Sequence, residues 1–196
     1  MPSKLPYGFK AEAERISLEV HTELGLTLSD RLDCLALAAH LAIPVITLLE
    51  LMATGANPEN IRLLQSRTAK FSALTVIDDT RRLIVYNQRQ PPGRQANSLS
   101  HELSHTILAH PPSPALGDGG CRYWNTQHEE EADWLGGSLL VPREGALQWL
   151  RNGGSNEDGA KHFGVSLALF LWRVNHSGIH KQLEAWRRIR TSRRLS

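Results

Sequence analysis

Five consecutive residues constrain this chain more than any others: His101-Glu102-Leu103-Ser104-His105. The pattern is H-E-x-x-H. In a helix, residues i and i+4 lie on one face, so both imidazoles can address one cation. Glu102 then stands beside them, within reach of a water that the ion acidifies. Zinc lowers the pKa of such a water to about 7, and a carboxylate can take its proton as the oxygen attacks. A chance match in a chain of this composition has a probability of about 0.03, so the surroundings must decide. They favour a helix. Asn97 and Pro111 bound the segment, and Leu99, Leu103, Ile107 and Leu108 are available for burial.

A catalytic zinc takes three protein ligands and keeps one position open. The candidates for the third are Cys121, His110, His128, Glu129, Glu130, Glu131 and Asp133. His110 comes one residue early for an H-E-x-x-H-x-x-G-x-x-H pattern and reads as a cation at a helix C-terminus. Cys121 reads as a plain loop thiol. A helix over residues 127–140 puts Glu129, Ala132, Asp133, Gly136 and Leu140 on one face. Glu129 and Asp133 would repel as an i,i+4 pair in water. A metal accounts for both: Glu129 binds it, and Asp133 accepts the free N–H of a ligand histidine, fixing its tautomer. Glu130 and Glu131 face away and read as a solvated acidic helix start.

The rest of the chain sets the frame. The two cysteines, Cys34 and Cys121, cannot build a disulfide framework or a thiolate zinc cluster among 196 residues. A reducing cytoplasm is the expected compartment. Charged residues interrupt the first twenty positions, and His40, Pro44 and Glu50 interrupt the apolar stretch 35–56, so neither a signal peptide nor a membrane span is expected. The net charge of +2 is uneven. Residues 181–196 carry six basic side chains against Glu184, which leaves the remainder mildly acidic.

Periodicity predicts helices over 10–24, 30–41, 47–53, from about 57 to 67, 97–109, 127–140, 157–175 and 179–190. A β-hairpin is predicted from Ser72–Ile77 and Arg82–Tyr86, and residues 44–47 are a candidate extended segment. The expected class is α+β: mainly helical, with a small antiparallel sheet of about three strands. Residues 1–150 would form the metal-bearing domain. Residues 151–196 would be a helical segment packed on it, ending in a basic tail over 187–196.

Several of these segments resemble the ImmA/IrrE family of zinc metallopeptidases. Arg94-Gln95-Ala96-Asn97-Ser98-Leu99-Ser100 is similar to that family's approach to its H-E-x-x-H helix. Glu129-Glu130-Glu131-Ala132-Asp133-Trp134-Leu135-Gly136, continuing to Pro142, resembles its E-x-x-A-[ND] helix. Ile43-Pro44-Val45, Phe71-Ser72-Ala73, Ile84-Val85-Tyr86-Asn87 and Phe163-Gly164-Val165-Ser166 extend the likeness in order along the chain. Gly136 stands where alanine is usual, a change expected only to loosen its helix. Gly93 and Asn97 also depart from the commoner residues.

The resemblance implies a compact, thermolysin-like zincin fold. His101, His105 and Glu129 would be the Zn2+ ligands, Glu102 the catalytic acid/base and Asp133 the partner of a ligand histidine. It also implies a substrate, an XRE-type helix-turn-helix repressor whose cleavage relieves repression of stress or mobile-element genes. Manganese or iron could occupy the same ligands. Tyr123, His128 and Arg122 are candidate oxyanion donors, and each also reads as an ordinary surface or packing residue. Three rivals stand beside the peptidase. One is a DNA-binding module built on the helix-turn-helix look of Ala160–Ser166 and the helix after it, with glycine in the turn, and on the basic tail. The second is an interaction protein with a closed structural zinc site. The third is a member of a toxin–antitoxin pair.

Overall fold

The computed structural model describes residues 5–65, 71–78, 81–111 and 125–192. Helix α1 (Phe9–Glu23) buries Ala13, Ser17, Val20 and His21, one stripe of the helix, while Arg15 pairs with Glu12 and Glu19 on the outer face. Helix α2 (Cys34–His40) follows, capped by the Asp33 carboxylate on the Leu35 amide. Strand β1 (Val45–Thr47) leads into α3 (Leu48–Ala53), where Thr47 and Glu50 form a reciprocal capping box. Helix α4 (Pro58–Gln65) precedes the hairpin β2 (Ala73–Asp78) and β3 (Arg81–Tyr86). Then come α5 (Pro92–Ile107), α6 (Thr126–Leu140), α7 (Arg143–Arg151), α8 (Asn156–His162), α9 (Leu167–His176) and α10 (Ile179–Ser192). None of the described helices is long and apolar enough to cross a membrane.

The class is α+β, as expected, but the sheet is mixed. Its order is β1-β3-β2, with β2 antiparallel to β3 and β1 parallel to it. A parallel neighbour needs a crossover connection, and α3 and α4 lie in that connection. A three-residue strand carries no pattern that names its partner's direction, so the antiparallel expectation fails at β1.

Three helix boundaries also depart from expectation, each set by a proline or a glycine. Pro92 starts α5 five residues before Asn97, because proline suits the first helical position. Pro142 ends α6 and at once caps α7, a helix the periodicity did not predict. The single helix expected over 157–175 is split into α8 and α9. Gly164, at φ +68°, closes α8 with paired bonds from the Gly164 and Val165 amides to the Lys161 and Ala160 carbonyls.

One core cluster runs from Ala13 on α1 to Leu183 on α10, so the C-terminal helices share the apolar interior of the rest. At its centre α5 lies against α6 along a seam of small residues. Ser100, Ser104 and Ala132 are fully buried there. The Ser100 hydroxyl donates to the Gly136 carbonyl at 2.8 Å. A Cβ on Gly136 would sit 3.2 Å from Ser100 Oγ and 3.3 Å from the His101 amide nitrogen. Gly136 therefore does more than loosen α6; it sets how near α6 comes to the H-E-x-x-H helix. Arg173, fully buried, ties α9 to this pair through Glu14 of α1 and the Val141 carbonyl.

Candidate metal centre

Helix α5 presents His101, Glu102 and His105, and α6 presents Glu129 and Asp133 across the small-residue seam. The donor atoms of His101, His105 and Glu129 all lie within 4.8 Å of one another. His101 Nε2 and His105 Nε2 are 3.1 Å apart. Glu129 reaches them at 3.2 Å and 3.6 Å. Donors about 2.0–2.1 Å from a tetrahedral zinc ion stand about 3.3 Å apart, so these spacings suit such an ion. The chemistry of the donors agrees. Asp133 Oδ1 accepts from His101 Nδ1 at 2.8 Å, which leaves Nε2 to face its neighbour. Two imidazole nitrogens and a carboxylate meeting at one point can hold a metal cation between them.

The electrostatics of the group follow from these contacts. Burial opposes the charging of His101, but hydrogen bonds to Asp133 and Glu129 push it up to about 10. Burial would raise Glu129, yet the hydrogen bonds of His101 and His105 hold it at about 2. Metal binding to such a group would be coupled to proton release from its histidines. All three donors are partly open to solvent, with side-chain exposures of 17–22%.

Glu102 lies beside this group, and the hydroxyl of Thr75 donates to its Oε2 at 2.6 Å. Thr75 is on β2, so the hairpin touches the H-E-x-x-H helix at its glutamate. No sequence pattern marked Thr75; its alternation in a short strand gives a face, not a partner.

His110 and Glu131 need correction. His110 is buried and does more than face the end of α5: its Nδ1 lies 2.9 Å from His105 Nδ1. Burial lowers its pKa, with Glu131 pulling the other way and the neighbouring His105 and His128 adding to the depression. Glu131 is buried too and accepts from His110 Nε2 at 3.0 Å, rather than facing solvent. A usable signal existed. Glu131, Trp134, Leu135 and Ser138 are spaced i, i+3, i+4, i+7, which puts Glu131 on the buried stripe of α6. The ring of His128, a candidate oxyanion donor, stacks on His110 at 4.3 Å. The other two candidates, Arg122 and Tyr123, lie outside the described residues, as does Cys121.

The model of the IrrE N-terminal-like domain, peptidase family M78, matches residues 59–175, more than half of the chain. The chain belongs to this family. The matched span contains both centre-bearing helices, the hairpin and α7 to α9, so the IrrE-like domain and the candidate centre coincide. Among solved structures, a Mycobacterium tuberculosis transcriptional regulator is similar at 16% identity with a TM-score of 0.47. The match covers 87% of this chain and 47% of the regulator, so the chain spans less than half of that protein's length. No curated protein matches.

Proposed function

We propose that this IrrE-like chain is a zinc-dependent endopeptidase, and that it cuts a cognate XRE-type helix-turn-helix repressor in the cytoplasm. The observation that carries the peptidase reading is the convergence of His101, His105 and Glu129, with Glu102 one residue along the same helix. An ion held there would polarise a scissile carbonyl and acidify a water molecule. Glu102 takes the proton of the attacking water and passes it to the amine nitrogen as the C–N bond breaks. Thr75 occupies one carboxylate oxygen and leaves the other for that proton. Strand β2 is one of the two edge strands of the described sheet, the one that touches Glu102, so a substrate can add its backbone along it. The repressor rests on the family likeness alone.

The DNA-binding rival is weaker on chemistry. The exposed positions at the start of α9 are Ser166, Leu167 and Ala168, which offer little to base edges. The one arginine of α9, Arg173, is spent internally on Glu14 and Val141. Among the described residues no fourth donor joins the group, which suits a reacting centre better than a closed structural one.

Glu102→Gln is expected to keep zinc, abolish cleavage and trap the substrate for mass spectrometry, whereas His105→Ala loses the metal. Recovery of a helix-turn-helix repressor supports the substrate class. Wild-type cleavage by Glu102→Gln would sink the peptidase assignment.

A further inference from the structure

His110 and Glu131 are buried polar side chains for which the proposed chemistry has no use, yet they lead directly to a ligand histidine. Both oxygens of Glu131 are engaged: Oε1 accepts from Gln127 Nε2 at 2.8 Å, and Oε2 accepts from His110 Nε2 at 3.0 Å. A carboxylate only accepts, so the proton of His110 sits on Nε2. Its Nδ1 then carries a lone pair, 2.9 Å from His105 Nδ1. His105 must donate across that gap. Its own lone pair is left on Nε2, the atom that faces His101 and Glu129. Every proton in the chain has one place, and Glu131 sets the direction.

The backbone is shaped to make this contact. Ala109 adopts φ +51°, a conformation rare for a residue with a Cβ. That turn closes α5 with a bond from the His110 amide to the His105 carbonyl at 2.9 Å. It brings the ring of His110 back onto the helix it has just left. His128 stacks against the other side of the relay at 4.3 Å.

We propose that Glu131 and His110 are positioning residues, an orienting relay that fixes the tautomer and ring angle of His105 and so strengthens its hold on zinc. The inference rests on the metal-centre reading proposed above. It makes the two histidines unequal: His101 leans on an exposed carboxylate, Asp133, and His105 on a buried one reached through a second imidazole.

The test is zinc affinity of the full chain, measured by competition with a chromophoric chelator. Wild type is expected to bind one zinc ion per chain. Glu131→Ala and His110→Phe should weaken binding about 10- to 100-fold. Glu131→Gln keeps size and an acceptor oxygen but drops the charge, so a fall of about tenfold is expected, and it serves if the alanine variant does not fold. In zinc-loaded wild type, 15N spectra should place protons on His105 Nδ1 and His110 Nε2, with a coupling between the two Nδ1 atoms across the hydrogen bond. Unchanged affinity in folded Glu131→Gln and His110→Phe, or a proton on His110 Nδ1, overturns the relay. If wild type binds no zinc, or His101→Ala binds it equally well, the metal-centre reading fails and takes the relay with it. If wild type binds and only the relay variants match it, the relay alone fails.

Discussion

Thr75 touches the site through one atom, and its hydroxyl is the only polar group β2 is seen to extend to Glu102 among the described residues. A carboxylate free to swing would spend part of its time turned away from the water that the proposed mechanism has it deprotonate. Holding one oxygen fixes its plane. Thr75→Val preserves shape and β propensity and removes only the donor. It should lower kcat by about tenfold, about 1.4 kcal/mol of barrier, with zinc content unchanged. Steady-state kinetics with metal analysis checks this, and an unchanged kcat would show that Glu102 is held by its helix alone.

At the scale of elements, the centre depends on how close backbones come, and glycine sets several of those distances. Gly145 on α7 faces the Leu28 carbonyl so tightly that a Cβ would lie 1.8 Å from its oxygen. Gly145→Ala must therefore displace α7 or the Leu28 loop. A loss of about 1–3 kcal/mol is expected, a fall in Tm of about 2–4 °C per kcal/mol, read by thermal melts. This is also where reading the sequence ran out. The H-E-x-x-H register, the one-face arrangement of Glu129 with Asp133, and the hairpin were visible because they follow local periods of 3.6 and 2. The direction of β1, the helix α7 and the break at Gly164 depend on what packs against them. Pro142 reads as a stop and acts as a start, since the same ring that ends one helix suits the first turn of another. Glu131 was misread for a related reason. Charge alone suggests solvent, and only the partner supplied by the turn at Ala109 makes its burial tolerable.

Across the whole molecule, acid sensitivity has a specific internal source. His21 is fully buried on α1; its Nδ1 donates to the Ser17 carbonyl at 2.8 Å, and its Nε2 has no hydrogen-bond partner among the described residues. Burial holds its pKa below the ordinary value near 6.5. As pH falls through about 6.5, the unfolded chain takes up a proton that the folded chain refuses, so stability drops until the folded imidazole is protonated as well. His21→Leu removes this linkage. Urea unfolding at pH 7 and pH 5 should show a smaller loss in the variant than in wild type. Equal losses would move the acid sensitivity elsewhere.

The outer position of β2 has a consequence for whatever the chain acts on. A strand can be added there only by a segment that is itself extended. Helix-turn-helix proteins are helical, so a scissile bond within a helix would become available only when that helix frays or opens. Local opening free energies range from nearly zero at termini to the full stability of the domain. If the proposed repressor is the target, cleavage would be rationed by how often it opens, and a signal that loosens it could switch its destruction on without altering this chain at all.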